Sequence, residues 1–196
     1  MTGVSIPDQK SALRAAALDR RDALPERHRA EASARIVTGL GALLAEMPPT
    51  VLAGFAPIRS EADIMPFLTA ARANDVPVAL PKLSGGGIVF RRWRPGVELV
   101  PGVWGIREPP EEAPIATPDL VLVPLAAFDR NGNRLGHGRG HYDRALTVLR
   151  EAGFAPRLVG VAFAVQEVDA IPAEMFDVPL DAVVTEDGIR SFSAVD

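Results

Sequence analysis

Apolar positions near the start of the chain recur at the spacing of an amphipathic helix. This pattern predicts a first helix over residues 8–23, with Asp8 as its cap. Its apolar stripe consists of Leu13, Ala16, Ala17 and Leu24. Pro25 ends that helix and suits the first turn of a second helix, which runs to about Glu46 and stops at Pro48. We therefore expect the chain to begin with a helical arm.

After residue 50 short apolar runs alternate with helical stretches. The predicted strands are residues 51–55, 76–80, 88–93, 120–123, 157–162, 182–185 and 189–192. The predicted helices between them are residues 66–73 and 142–151. This alternation indicates an α/β fold, a single-domain three-layer α/β/α sandwich over residues 1–196 with a largely parallel sheet and an N-terminal helical arm. Residues 95–118 are rich in Pro, Gly and Glu, and we expect them to form a long irregular loop.

The composition excludes several classes of function. The chain has 196 residues and a formal net charge of −4, which argues against a dedicated nucleic-acid-binding or membrane-surface protein. It contains no cysteine, so disulfides, zinc–thiolate sites, iron–sulfur clusters and cysteine nucleophiles are excluded. The longest apolar run, Leu120 to Phe128, is too short to span a bilayer, and no signal peptide is visible. We expect a soluble, cytoplasmic protein with no nucleic-acid or membrane partner.

A glycine-rich segment lies between the strand at 120–123 and the helix at 142–151. Its glycines are Gly132, Gly136, Gly138 and Gly140. Glycines allow backbone N–H groups to approach oxyanions, and the N-terminus of a helix adds a partial positive charge. In open α/β sheets, ligands bind at the carboxyl ends of the strands. The segment therefore predicts an anion-binding site, and a flexible turn with solvated arginines is the alternative.

The same segment carries an excess of positive charge. Its arginines are Arg130, Arg134, Arg139 and Arg144, and with Asp129 and Asp143 they leave a local charge of +2. Guanidinium groups bind phosphate oxygens in a bidentate manner. However, neither the P-loop pattern nor the complete dinucleotide-binding pattern is present.

Two further side chains in this segment have a functional and a plain interpretation. Asp143, at the start of the helix, is either a Mg²⁺ ligand beside nucleotide phosphates or an acid that complements the helix dipole. Tyr142 is the only tyrosine in the chain, and it is either a functional residue of this segment or a packed aromatic residue with an exposed hydroxyl.

The run from Phe128 to Arg144 closely resembles the signature of the 5-formyltetrahydrofolate cyclo-ligase family, also called methenyltetrahydrofolate synthetases. In this chain it is Phe-Asp-x-x-Gly-x-Arg-Leu-Gly-x-Gly-x-Gly-x-Tyr-Asp-Arg. Other family features agree in order and spacing over nearly the whole chain. They are Lys10, Arg14, Phe55, Glu61, Leu80-Pro81-Lys82, Trp104 to Pro109, Ala162-Phe163, Gln166, Ile171-Pro172, Asp177 and Asp181.

The resemblance implies an ATP- and Mg²⁺-dependent ligase that converts 5-formyltetrahydrofolate, polyglutamylated or not, to 5,10-methenyltetrahydrofolate. A formyl oxygen is a poor leaving group, and the family activates it by transferring the γ-phosphoryl group of ATP to it. N10 then attacks the activated carbon, the ring closes, and phosphate departs, giving ADP and phosphate. In phosphoryl transfer the protein contributes mainly the positioning of the reacting groups and the stabilisation of charge.

The resemblance also assigns roles to individual residues. The nucleotide would contact Lys10, Arg14, Arg134, Gly136, Gly138, Arg139, Gly140 and Tyr142. Of these, the catalytic residues would be Arg134, Arg139 and Tyr142. The folate would contact Phe55, Glu61, Trp104 and Gln166, the last of which could instead brace the loop. Mg²⁺ would be held by Asp143, with Asp177 as a second carboxylate. His137 falls in a variable position and is expected to be a solvated loop residue.

Two positions depart from the family pattern. Arg139 stands where a lysine is usual, and a planar guanidinium presents a different geometry to phosphate than a compact ammonium does. His141 stands where a tyrosine is common, so any contact from that hydroxyl is lost. These departures motivate a second hypothesis, a paralogue with the same nucleotide site that acts on or binds a different small molecule. Nucleic-acid binding through the arginine-bearing loop is a third hypothesis, which the overall acidity disfavours. We expect a monomer.

Overall fold

The computed structural model describes residues 5–175 and 177–192, except for the Trp104 side chain. The α-helices are α1 (Ile6–Asp22), α2 (Glu26–Glu46), α3 (Met65–Ala73) and α4 (His141–Glu151). The strands are β1 (Leu52–Ala53), β2 (Val78–Ser84), β3 (Gly87–Trp93), β4 (Val100–Pro101), β5 (Arg107–Glu108), β6 (Leu120–Pro124), β7 (Ala127–Phe128), β8 (Arg134–Leu135), β9 (Arg157–Val161), β10 (Ala182–Thr185) and β11 (Gly188–Ser191). Short 3-10 helices span Val103–Gly105 and Ala164–Gln166. Of the helices in these ranges, none has both the length and the apolar character that crossing a membrane requires.

Seven of these strands form one sheet in the order β11-β10-β9-β6-β1-β2-β3. The five inner strands run parallel to one another. The two edge strands, β3 and β11, are antiparallel because tight hairpins join them to β2 and β10. The prediction of a largely parallel sheet is confirmed.

Helices cover both faces of the sheet. The apolar stripe of α2, with Ile36 and Leu40, packs together with α3 on the face that carries Leu122. On the opposite face, Leu146 of α4 packs against Val121. Side chains of a strand alternate between faces, so consecutive apolar residues of β6 contribute to both layers of core. The predicted three-layer α/β/α arrangement is therefore observed.

The first helix, α1, lies across the carboxyl end of the sheet. Its buried Ala17 packs with Ala127, Leu135 and Ile171, all in segments that follow the carboxyl ends of strands. This placement brings the basic face of α1 to the end of the sheet where ligands bind in open α/β folds.

Three local predictions need correction. The cap of α1 is Ser5, whose Oγ accepts a hydrogen bond from the Asp8 backbone N–H at 3.3 Å, so Asp8 lies inside the helix. The strand predicted over 51–55 is paired only at β1, whereas β2 begins later and extends to Ser84, beyond the 76–80 prediction, because its hairpin with β3 continues the ladder. The segment 95–118 is not wholly irregular, since it contains the β4–β5 pair and a 3-10 helix.

Asp119 fastens the start of β1 to the start of β6. Its carboxylate accepts hydrogen bonds from the backbone N–H groups of Thr50 and Val51, both at 2.8 Å, and from the Thr50 hydroxyl at 3.0 Å. Partial burial raises the pKa of the Asp119 carboxyl, but these hydrogen bonds outweigh it and hold the pKa below its ordinary value.

This carboxyl predicts a pH dependence of stability. A carboxyl whose pKa is depressed by folding stabilises the protein above its unfolded pKa, and the contribution is lost as the pH falls through the folded pKa. We expect Asp119→Asn to lower the free energy of unfolding at neutral pH and to have a smaller effect in acid, below the ordinary carboxyl range. Urea denaturation at both pH values measures this, and an equal loss at the two would contradict it.

Candidate functional site

A cavity of about 380 Å³ opens at the carboxyl ends of the central strands. Its walls come from the segments after β1, from β2 and β3, and from the end of β6. The glycine-rich loop, the first turn of α4, Ile106 and Glu108, and the side chains of Arg14 and Leu18 on α1 complete it. The glycine-rich loop therefore lies where the sequence predicted a ligand crevice.

The glycine-rich loop contacts α1 directly. Arg14 Nε donates a hydrogen bond to the Gly136 carbonyl oxygen at 2.7 Å. Gly138 has a φ of +86°, and a Cβ at this position would lie 3.3 Å from the Arg14 guanidinium carbon. Gly140, with a φ of +61°, is the N-cap residue that precedes α4. Glycine is thus required at 138 and 140 by backbone conformation, and at 138 also by the close approach of Arg14.

A buried carboxylate shapes the turn that precedes this loop. Asp129 is fully buried, and its oxygens accept hydrogen bonds from the backbone N–H groups of Asn131, Asn133 and Ile171, and from the Asn133 side chain. In the sequence, Asp129 was recognised only as a charge. The signal that could have identified its structural role is the aspartate followed two residues later by Asn-Gly, a pattern typical of an Asx turn.

Arg134 and Asp143 form the ion pair at the centre of the site. Arg134 Nη2 donates to Asp143 Oδ1 at 2.7 Å, and the side chains are 5% and 27% exposed. This contact joins β8 to the first turn of α4, where the partial positive charge of the helix also favours a carboxylate. The Asp143 carboxylate stays accessible from the cavity that both residues line.

Two buried polar atoms in the cavity wall have no hydrogen-bond partner among residues 5–175 and 177–192. They are the Tyr142 hydroxyl oxygen and Arg134 Nε. Burial raises the pKa of the Tyr142 hydroxyl, the charge of Glu61 raises it further, and Arg134 lowers it by less. The tyrosine therefore stays protonated. Buried polar groups are normally paired, so both atoms have hydrogen-bonding capacity that the described residues leave unused.

The opposite wall is largely apolar and contains the carboxylates of Glu61 and Glu108. Phe55 is buried there, and Leu83, Ile88 and Ile106 extend the surface. Glu61 is 6% exposed, and its Oε2 accepts a hydrogen bond from the Ile58 N–H at 3.0 Å. Neither Leu83 nor Ile88 was predicted as a site residue, because an apolar strand residue looks the same in sequence whether it packs in a core or lines a cavity.

His137 is more than a solvated loop residue. It is 37% exposed, but its Nε2 lies 3.0 Å from Glu61 Oε1. The glycine-rich loop and the segment after β1 are thus joined across the cavity. The sequence interpretation of His137 needs this correction, because the partner is distant in the chain.

The two departures from the family pattern both lie in the cavity wall. Arg139 and His141 line the cavity on the side of the glycine-rich loop. Arg144 Nη2 is 2.9 Å from both His141 Nδ1 and the Gly86 carbonyl oxygen, so the start of α4 is tied to the β2–β3 hairpin.

Lys10 and Asp177 contact each other and are not among the cavity-lining residues. Lys10 Nζ donates to Asp177 Oδ2 and to Glu174 Oε2, both at 2.6 Å. Desolvation lowers the pKa of Lys10, but the hydrogen bonds and charges of the two carboxylates outweigh it and raise the pKa. The structure places Asp143 in the cavity wall and directs the Asp177 carboxylate to Lys10. Their roles toward nucleotide and metal stay predictions.

Gln166 is buried beneath the site. Its Nε2 donates to the carbonyl oxygens of Leu125 and Ala126 at 2.7 and 3.1 Å, and its Oε1 accepts from the Phe163 N–H at 2.9 Å. These bonds engage both ends of the amide, so the geometry supports bracing and gives no support to a direct substrate contact. Trp104 belongs to the 3-10 helix Val103–Gly105, and its side chain lies outside the described part of the chain.

The cavity has two chemically different sides. One side presents Arg14, Arg134, Arg139 and the N-terminus of α4, which together suit an anionic group such as a polyphosphate. The other presents an apolar surface with the Glu61 carboxylate, which suits a ring system that donates hydrogen bonds. In the described ranges, no group of three or more His, Asp or Glu side chains forms a metal site by itself.

Comparison with known proteins agrees with this geometry. The model of the 5-formyltetrahydrofolate cyclo-ligase family matches residues 6–186. The Escherichia coli (strain K12) 5-formyltetrahydrofolate cyclo-ligase is 36% identical over 149 residues, which are 70% of this chain and 81% of that protein. The Mycolicibacterium smegmatis 5-formyltetrahydrofolate cyclo-ligase is 35% identical over 189 residues, 91% of this chain and 94% of that protein. The structure of Aquifex aeolicus 5,10-methenyltetrahydrofolate synthetase superposes with a TM-score of 0.82 at 32% identity, covering 95% of this chain and 94% of that one.

Proposed function

Because the chain belongs to the 5-formyltetrahydrofolate cyclo-ligase family of ligases, we propose that it converts 5-formyltetrahydrofolate to 5,10-methenyltetrahydrofolate with ATP and Mg²⁺. The observation that carries the proposal is the cavity with one cationic and one apolar side. A reaction that joins a nucleotide phosphate to a folate needs both surfaces in one enclosed space. The products are 5,10-methenyltetrahydrofolate, ADP and phosphate.

The bound substrates supply the chemistry: the γ-phosphoryl group passes to the formyl oxygen, N10 attacks the activated carbon, and phosphate leaves. The protein positions these groups and stabilises charge. Arg134 and Arg139 place positive charge along the cationic side, and Arg14 approaches from α1. Tyr142, whose hydroxyl stays protonated, donates a hydrogen bond to an oxygen in the cavity.

The residues present fit a nucleotide-bound Mg²⁺. Mg²⁺ is typically held by one or two carboxylates together with substrate phosphates, so a single accessible carboxylate in the cavity is sufficient from the protein. Asp143 supplies it, with Oδ1 oriented by Arg134. When bound, the metal neutralises phosphate charge. Asp177 would join it only after release from Lys10.

On the apolar side, Glu61 and Phe55 bind the folate. A carboxylate accepts two N–H donors from an amino-pyrimidine ring, and Glu61 is already oriented by the Ile58 N–H. Phe55 packs against the ring face. Because one chain builds the whole cavity, we propose that the monomer is active. We also propose that it acts in the cytoplasm and accepts the folate with or without a polyglutamate tail.

Calorimetric titration tests the choice of substrate separately from turnover. Wild-type protein is expected to bind both 5-formyltetrahydrofolate and Mg²⁺–ATP, and Glu61→Gln to lose roughly tenfold or more in folate affinity while it keeps nucleotide affinity. Glu31→Gln is the matched control, because Glu31 is exposed and its one ion pair within residues 5–175 and 177–192 is with Arg27 on its own helix. Binding of Mg²⁺–ATP without the folate would contradict the proposal and indicate a paralogue with another substrate.

A further inference from the structure

The Glu61 carboxylate is presented by a strained turn. The Glu61 N–H donates to the Ile58 carbonyl oxygen at 3.1 Å, and the Ile58 N–H donates back to Glu61 Oε2 at 3.0 Å. Between them Arg59 has a φ of +53°, in the left-handed region that residues with a Cβ rarely adopt. Such a conformation persists only where surrounding contacts impose it. Ser60, the residue that follows Arg59, makes such contacts through its side chain.

The fixed point of this turn is the Ser60 hydroxyl, which is held by two consecutive residues at the end of α1. Arg21 Nε donates to Ser60 Oγ at 2.9 Å, and Ser60 Oγ donates to the Asp22 carboxylate. The Ser60 hydrogen bond, helped by the Arg21 charge, lowers the pKa of the Asp22 carboxyl although burial raises it. Ser60 is 8% exposed and Arg21 is 1% exposed, so the bond between them is shielded from water, whereas the Asp22 side chain is 56% exposed and its bond is only partly shielded.

Burial of the Arg21 guanidinium has a desolvation cost that this contact alone does not offset. It is 1% exposed, and within the described ranges its Nη1 has no hydrogen-bond partner. The carboxylate nearest to it, Asp22, lies 3.6 Å from its Nε and is 56% exposed. A buried, incompletely paired arginine is poor evidence for stabilisation, because apolar residues of similar volume often stabilise such sites better. Its geometry instead serves the placement of Ser60.

The same helix reaches the nucleotide side of the cavity. One face of α1 carries Arg14, which holds the Gly136 carbonyl, and its last turn carries Arg21, which holds Ser60. One rigid element thus contacts both the glycine-rich loop and the turn that presents Glu61. We propose that Arg21 and Ser60 are positioning residues for the folate, which fix the Glu61 turn to α1. This inference rests on the proposed function and adds to it the contact that positions the Glu61 turn.

Ser60→Ala and Arg21→Met test the proposal through the two Michaelis constants. We expect each to raise KM for 5-formyltetrahydrofolate roughly tenfold, because the loosened turn carries Glu61, which is proposed to bind the folate. KM for ATP is expected to stay within about twofold of wild type and kcat to change little, because Arg14 still holds the glycine-rich loop. Arg21→Met is also expected to keep or raise the melting temperature. A residue with a merely structural role would lower stability and leave the ratio of the two Michaelis constants unchanged.

Arg20→Ala is the matched control. Arg20 is the preceding residue on α1, and it donates to the carbonyl oxygens of Val165 and Glu167, away from the Glu61 turn. Its loss removes an anchor of the same helix and is expected to leave both Michaelis constants unchanged. If Arg21→Met fails to fold, the Michaelis constants of Ser60→Ala alone test the positioning role.

The outcomes separate this inference from the proposed function. Wild-type protein that forms no methenyl product overturns both. Wild-type protein that forms product, together with a Ser60→Ala variant whose folate KM equals that of wild type, overturns the positioning role only. A Ser60→Ala variant in which both Michaelis constants rise equally also overturns it, because α1 would then act on the site as a whole.

Discussion

Replacing Arg134 with alanine is expected to lower kcat by roughly a thousandfold, the size of effect seen when one preorganised donor to a developing charge is removed. Arg134 is the least exposed cation of the cavity's arginine side, with one nitrogen on Asp143 and a second, Nε, unpartnered among the described residues. Its loss removes positive charge where phosphoryl transfer needs it and releases the carboxylate proposed to hold Mg²⁺. Steady-state kinetics at saturating ATP and folate measures the change.

Arg130→Ala is the control for this variant. Arg130 belongs to the same signature segment, but its side chain is 78% exposed, and its one ion pair among the described residues is with Glu167, at 3.7 Å. Near-normal kcat is expected for Arg130→Ala. The circular dichroism spectrum of Arg134→Ala should match that of wild type, because Asp143 is partly solvated and tolerates the loss of its partner. A folded Arg134→Ala protein with near wild-type kcat would remove Arg134 from the reaction.

The second large effect is expected for Gly138→Ala. A side chain at a φ of +86° costs roughly 1–2 kcal/mol, and its Cβ would also press on the Arg14 guanidinium at 3.3 Å. Displacement of Arg14 and of the loop backbone is expected to lower kcat/KM for ATP by about a hundredfold, since small misplacements in a site have effects of this size. Thermal denaturation and ATP titration kinetics measure the two consequences separately.

The control variant Gly96→Ala separates the effect of backbone strain from the effect of displacing Arg14. Gly96 has a φ of +87°, nearly the same as Gly138, but among the described residues no atom beyond its chain neighbours lies within 4 Å of the place an alanine methyl would take. Gly96 also does not line the cavity. Both alanine variants are expected to lose similar stability. Only Gly138→Ala is expected to lose activity, and equal kcat/KM values for the two would show that the Arg14 contact is unimportant.

The parts of this protein that were predictable from sequence are those encoded locally. The apolar runs at 120–123 and 182–185 predicted the strands β6 and β10, because burial on both faces requires apolar side chains at successive positions. Likewise, the 17-residue signature from Phe128 to Arg144 places Arg134, Gly138 and Asp143 in one loop–helix unit, so their proximity follows from chain connectivity.

The contacts that were not predictable join residues far apart in the chain. Lys10 looked like one member of a basic helix face, but tertiary packing sets it against Glu174 and Asp177, more than 160 positions away. Gln166 had the right position in the family pattern, yet only the packed structure shows that its amide is engaged by backbone groups. The Arg21–Ser60 bond depends on the angle at which α1 crosses the sheet, which no local pattern encodes.

The most direct test of the proposed reaction is a near-ultraviolet absorbance assay with purified protein, 5-formyltetrahydrofolate, ATP and Mg²⁺. The methenyl product has an extended conjugated system that the substrate lacks, so turnover produces a new band. We expect the band to appear with all components and to disappear when either ATP or Mg²⁺ is omitted. Folded protein that gives no band under conditions in which a known cyclo-ligase does, or a band that forms without ATP, would contradict the proposed reaction.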